Sequence, residues 1–176
     1  MSTWYDELRQ TYRPDRVRLL LIAESPPDPR GGALRFFYAP ELTADNPYRS
    51  VALALYGQEP AFNERDKPAV LDRMRCDGVW LVDAVDVPVN ALSSRERKAL
   101  ISASVPELIE KCKAADPSVG VIICKGPVFT AVAGPLKEAG IKVLHEQPLP
   151  FPLGNWRSNF IDGMRGALAA SKWSTR

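Results

Sequence analysis

Hydrophobic positions along the chain fall into two kinds of pattern. Four short runs are apolar at almost every position: Val17–Ala23, Gly78–Ala84, Val119–Cys124 and Ile141–His145. Continuous apolar runs of this length suit strands buried on both faces, as in a parallel sheet covered by helices. Between them the pattern turns helical. Asn46 followed by Pro47 is a helix start, leading into Val51, Leu53 and Leu55. Ser93 with Glu96 fits a capping box, after which Leu100, Leu108 and Cys112 fall near one face. Pro106 predicts a break in that segment, because proline removes a donor and clashes with the preceding turn. A further helix is expected from near Pro127 to near Gly140, with Pro135 limiting its regularity. Phe160, Met164 and Leu168 repeat at helical spacing and predict a last helix with a core-facing stripe.

Strands alternating with helices imply right-handed crossovers and an α/β fold. The expectation is a three-layer α/β/α sandwich around a central, mainly parallel four-stranded sheet. A length of 176 residues suits one domain, able to bury roughly 70 % of its unfolded surface. No internal repeat or low-complexity stretch interrupts it.

Composition narrows the classes little. Forty-five per cent apolar and 25 % charged residues describe a globular chain, not a disordered one. A net charge of +2 is too small to argue for a nucleic-acid partner by itself. There is no run of about 18 apolar residues, so no membrane span is expected. The first residues lack the apolar stretch of a secretory signal, and a cytoplasmic location is the expectation. Three scattered cysteines, Cys76, Cys112 and Cys124, form no C-x-x-C pair and read as reduced thiols. With His145 the sole histidine, a His/Cys metal site is poorly supplied.

Ligands of open α/β sheets bind beyond the carboxyl ends of the strands, and the unusual residues collect there. The first run leads into Glu24-Ser25-Pro26-Pro27, then Gly31-Gly32 and Phe36-Phe37-Tyr38. The second ends in Asp83, with Pro88-Val89-Asn90 following. The third ends in Lys125-Gly126-Pro127, and the fourth runs into Gln147-Pro148-Leu149-Pro150 and Gly154-Asn155-Trp156-Arg157. Prolines fix φ and stiffen these loops. A small-molecule hydrolase or a nucleotide-binding protein on such a sheet is one possibility, and the absence of a glycine-rich phosphate loop lowers the nucleotide reading.

Two of these stretches resemble motifs of the uracil-DNA glycosylase superfamily. Ala23-Glu24-Ser25-Pro26-Pro27 looks like the first motif after the first strand, with Glu24 where one branch has its glutamate and Pro26 where the motif has proline. Gln147-Pro148-Leu149-Pro150 looks like the second, H-P-S-P, before the last helix. The similarity spans about residues 17 to 170. It implies a single such domain over 1–176, probing DNA and hydrolysing the N-glycosidic bond of a damaged or deaminated base, uracil or a relative. On that resemblance Glu24 and Gln147 are the catalytic candidates: Glu24 to position water or stabilise the cationic sugar, Gln147 to contact the leaving base. Ser25, Pro26, Phe37, Tyr38 and Asp83 are expected to bind the base. Phe37 would supply a stacking face, and Asp83, standing where the family reads with asparagine, would accept from an amine or ring N–H. Lys125, Pro148, Trp156 and Arg157 are expected to contact DNA. Each of these residues also has a plainer structural role open to it: Glu24 and Asp83 as loop caps, Phe37 and Tyr38 as packing, Gln147 and Lys125 as solvated side chains.

The sequence departs from the family where it matters chemically. Gln147 replaces a histidine used by several branches, Asp83 replaces the asparagine, and the first motif lacks its glycines. Three cysteines fall short of the four that an iron–sulfur branch needs, so no metal cluster and no cofactor is expected. A monomer is expected over an oligomer. The alternative is a non-catalytic module of the same fold that binds nucleic acid or protein.

Overall fold

A computed structural model describes residues 4–28, 36–42, 46–57 and 66–175. Gly31-Gly32 of the first strand-end loop lie outside the described residues. Among the described residues the sheet is parallel and three-stranded, in the order β2-β1-β3, with β1 (Leu19–Ala23) flanked by β2 (Val79–Asp83) and β3 (Gly120–Ile123). Leu19 pairs with Val79 on one side and Gly120 on the other, so the three carboxyl ends emerge side by side. Every residue of the three strands except Ala23 is buried. That double-sided burial is the physical cause of the unbroken apolar runs.

The fourth run does not form a strand. Val143 makes one parallel bridge to Val121, through Val121 N to Lys142 O (2.8 Å) and Leu144 N to Val121 O (2.9 Å). The next ladder position is then taken by a side chain, because Ile123 N donates to His145 Nε2 at 3.0 Å. An imidazole occupies the place of a backbone carbonyl, and the chain leaves the sheet there. Gly120, at φ +142, admits this segment closely, since a Cβ on it would lie 2.7 Å from Lys142 O.

Seven α-helices are found among the described residues. Helix α1 (Trp4–Thr11) precedes the sheet, and α2 (Asn46–Tyr56) and α3 (Lys67–Asp77) lie between β1 and β2. Asp66 caps α3 through Ala69 N, and Gly78 ends it in the left-handed region at φ +82. Helix α4 (Ser94–Ala103) opens on the expected capping box, Ser93 N to Glu96 Oε2 at 2.8 Å and Glu96 N to Ser93 Oγ at 3.3 Å. The break expected at Pro106 falls at Ser104, where α4 gives way to α5 (Val105–Ala115) with the proline in its first turn. Helix α6 (Gly126–Glu138) follows β3 directly, and α7 (Arg157–Ala169) buries Phe160, Met164 and Leu168 as a stripe. Helix α2 packs on α7, while α4 and α5 pack against α6. No helix among the described residues is long and apolar enough to cross a membrane.

Candidate active-site cleft

The strand ends open into a cleft of about 390 Å³. Its first wall is the segment after β1. Ala84 N donates to Ala23 O (2.9 Å) and Val85 N to Glu24 O (3.1 Å), so pairing with the neighbouring chain continues past the sheet and fixes the Glu24 backbone. On the other side, Cys124 N donates to Ile22 O at 2.8 Å, carrying Lys125 alongside. The Lys125 ammonium forms an ion pair with the Glu24 carboxylate, and both side chains are mostly buried. Lys125 also stands 5.3 Å from the centroid of the Phe151 ring, at cation–π distance.

Phe36 and Phe37 form an aromatic wall. Their turn is tied down by Ala39 N to Phe36 O (3.0 Å) and by the fully buried Lys67, whose Nζ donates to Phe36 O at 3.1 Å. Phe37 lies edge-on to Tyr38 and Tyr48, with centroids 5.1 and 6.0 Å away. The Tyr38 hydroxyl accepts from Leu81 N (2.6 Å) and donates to Leu81 O (3.2 Å), pinning the turn to β2. Burial raises that phenol well above its ordinary pKa, so it stays protonated and holds both bonds.

Asp83, at the end of β2, lines the cleft with only 2 % of its surface exposed. Arg9, itself buried on α1, donates from Nη2 to Asp83 Oδ2 at 2.6 Å and from Nη1 to Asp6 at 3.2 Å. Burial pushes the Asp83 carboxyl up to about 6, against the lowering pull of the Arg9 guanidinium. Asn46, Asn90 and Arg97 complete the polar lining. Arg97 fixes its own surroundings by donating to Leu92 O (3.1 Å) and Asn90 O (3.3 Å).

The outer wall is the proline-rich stretch Phe151, Pro152 and Leu153. It is anchored by Leu149, buried against α7 where Gly163 leaves room; a Cβ there would lie 2.6 Å from Leu149 Cδ2.

Glu24, Ser25, Phe37, Asp83 and Lys125 are therefore brought together in one cleft. Six other residues singled out in the sequence do not line it. Pro26 is buried away from the lining, and Tyr38 serves the core. Gln147 and Pro148 are exposed, because His145 is turned into the sheet and its Nδ1 meets Gln147 O at 2.7 Å. Trp156, 61 % exposed, sits on the 3-10 turn Gly154–Trp156, and Arg157 begins α7 half-buried. Arg9 and Arg97 had no motif to mark them, and Asn46 was marked only as a helix start. Asn90 and Phe151 stood in the strand-end segments without an assigned role.

Among the described residues, no three His, Cys, Asp or Glu side chains gather as a metal site. The chemistry available is that of two carboxylates, two cations, amides and aromatic faces around an apolar cavity. No protein-family model, curated protein or solved structure is matched by this chain.

Proposed function

We propose that this protein hydrolyses the N-glycosidic bond of a damaged or deaminated base in DNA. The observation that carries the reading is Glu24 in a cleft lined by aromatic rings and by polar side chains. Such hydrolysis passes through an oxocarbenium-like sugar and a departing base anion, so it needs negative charge by the sugar and donors by the base. A base taken out of the stack needs a flat apolar slot, which Phe36, Phe37 and Phe151 border. Glu24 faces the cationic sugar in this reading. Lys125 supplies the charge that stabilises the leaving base, a part for which the exposed Gln147 is poorly placed. The exposed Trp156 and the neighbouring Arg157 then meet the DNA outside the cleft. The sandwich layering, with α2 and α7 on one side and α4 to α6 on the other, belongs to the same reading.

One observation favours a second reading. The Glu24–Lys125 pair neutralises its own charge, as a non-catalytic module binding nucleic acid or protein would tolerate.

The deciding experiment is alkali-revealed strand cleavage of labelled oligonucleotides carrying uracil, hypoxanthine, xanthine, 8-oxoguanine or a G·T mismatch. Release of one base, lowered at least 100-fold in Glu24→Gln, is the expected result. No release from any of them by folded protein would leave the binding module as the reading.

A further inference from the structure

The lining of the cleft includes a charge that base hydrolysis alone does not require. Asp83 terminates β2 and lines the cavity, yet its carboxylate is held by an arginine on α1, 74 residues earlier in the sequence. Arg9 engages Oδ2, and Oδ1 has no hydrogen bond among the described residues. Asn90 lines the same cleft, its loop braced by Arg97 through the Asn90 carbonyl.

An ionised carboxylate only accepts hydrogen bonds, and its two oxygens offer about four lone-pair sites. Arg9 uses one of them, which leaves both oxygens able to accept from a ligand. The matching partner is a flat edge with two adjacent N–H donors. Guanine presents that edge, N1–H beside its 2-amino group. Uracil presents one N–H flanked by two carbonyl oxygens, which a carboxylate repels. Hypoxanthine keeps N1–H but lacks the amino group.

We infer that Asp83, positioned by Arg9, makes the cleft selective for a guanine-type base, either guanine or a damaged guanine that keeps its N1–H and 2-amino edge. The inference rests on the reading of the cleft as a base-binding site and narrows its substrate class away from uracil. Asp83 is the recognising group and Arg9 its positioning residue.

The test is direct titration of the full chain with 2′-deoxyguanosine, 2′-deoxyinosine and 2′-deoxyuridine, followed by amide chemical shifts. A site built for two donors rejects an analogue lacking one. The expected order is deoxyguanosine at least tenfold tighter than the other two. Equal affinities, tighter deoxyuridine, or no binding of deoxyguanosine at millimolar concentration would overturn the inference. This ranking needs no variant, so it survives any failure of Asp83→Asn to fold. Folded Asp83→Asn is expected to lose the preference, and its retention would count against the idea.

Arg9→Met separates positioning from mere structure through pH. In the wild type, deoxyguanosine binding is expected to weaken on acidification through about pH 6, as Asp83 takes up a proton. The charged groups acting on Asp83 are Arg9 and Lys111, which favour its ionised form, and Asp86, which opposes it; Tyr38 stays neutral beside it. Removing Arg9 should move the midpoint upward, and an unchanged midpoint would deny it the role. Base release from uracil-containing DNA by a chain that prefers deoxyuridine would sink this inference and keep the glycosylase reading. Tight deoxyguanosine binding without any base release would do the reverse.

Discussion

His145 shows how much one side chain can decide. Its Nε2 accepts from Ile123 N, so that nitrogen carries no proton, and Nδ1–H is left to donate to Gln147 O. Burial lowers its pKa, and the nearby Lys137 lowers it further while Glu146 and the Gln147 carbonyl raise it. The native protein therefore holds fewer protons at this site than the unfolded chain below about pH 6.5. Stability contributed by the neutral ring is full above that value and is lost as pH falls toward the lower native pKa. His145→Leu strands the buried Ile123 N–H and should cost about 1–3 kcal/mol at pH 8. Urea unfolding at pH 8 and pH 5 checks both statements, since the variant's deficit should shrink at the lower pH.

Asp83 has the opposite sign. Its native pKa of about 6 lies above the unfolded value of about 4, so between them the folded protein keeps a proton that the unfolded chain releases. Stability from this group falls as pH rises across that window. Asp83 was legible in the sequence as a carboxylate at a strand end. Arg9 was not, because nothing local distinguishes a helix arginine that meets a carboxylate from one that meets solvent.

At the scale of elements, the sequence was readable wherever the structural cause is local. The three strands declare themselves because both faces are buried. The capping box starts α4 and Pro106 splits the helical run, each by backbone hydrogen-bond logic. Helix α3 went unread although Asp66, Pro68 and Gly78 punctuate it, because charged residues interleave its buried Val70, Leu71 and Met74. The fourth run looked like a strand and stops after one bridge, since the imidazole that ends it acts across the sheet. Gly120 is the contact that lets this segment approach. Gly120→Ala should destabilise the protein by about 2 kcal/mol, from a strained φ and an overpacked contact with Lys142 and Leu144. Thermal unfolding reads this directly.

Two glycines of α7 give a sharper comparison. Ala at Gly166 meets nothing within 4 Å and should stabilise by about 0.5–1 kcal/mol through helix propensity. Ala at Gly163 meets Leu149 and should forfeit that gain by displacing the loop that carries Phe151. If both variants gained equally in chemical denaturation, Leu149 would not be anchoring the outer wall.

For the molecule as a whole, the cleft is assembled from many separate stretches of the chain, and none of them holds a site alone. Glu24 and Lys125 come from the ends of β1 and β3, Asp83 from β2, the aromatic wall from the turn at Phe36, and the outer wall from the segment before α7. The strand-end location was legible because parallel sheets expose function at their carboxyl edge. The replacement of Gln147 by Phe151 at the cavity was not, because it follows from how His145 turns the chain.

The same strand order bears on the time the chain takes to fold. The strand made first during synthesis occupies the middle, and both of its neighbours arrive much later in the sequence. Leu19 must wait for Val79 and Gly120, while Arg9 waits for Asp83. Loop closures this long are costly before any contact rewards them, so refolding from denaturant should take milliseconds to seconds, not microseconds. A nascent chain cut short before β3 would expose one flank of its most apolar strand, and chaperone dependence would be greatest at that length.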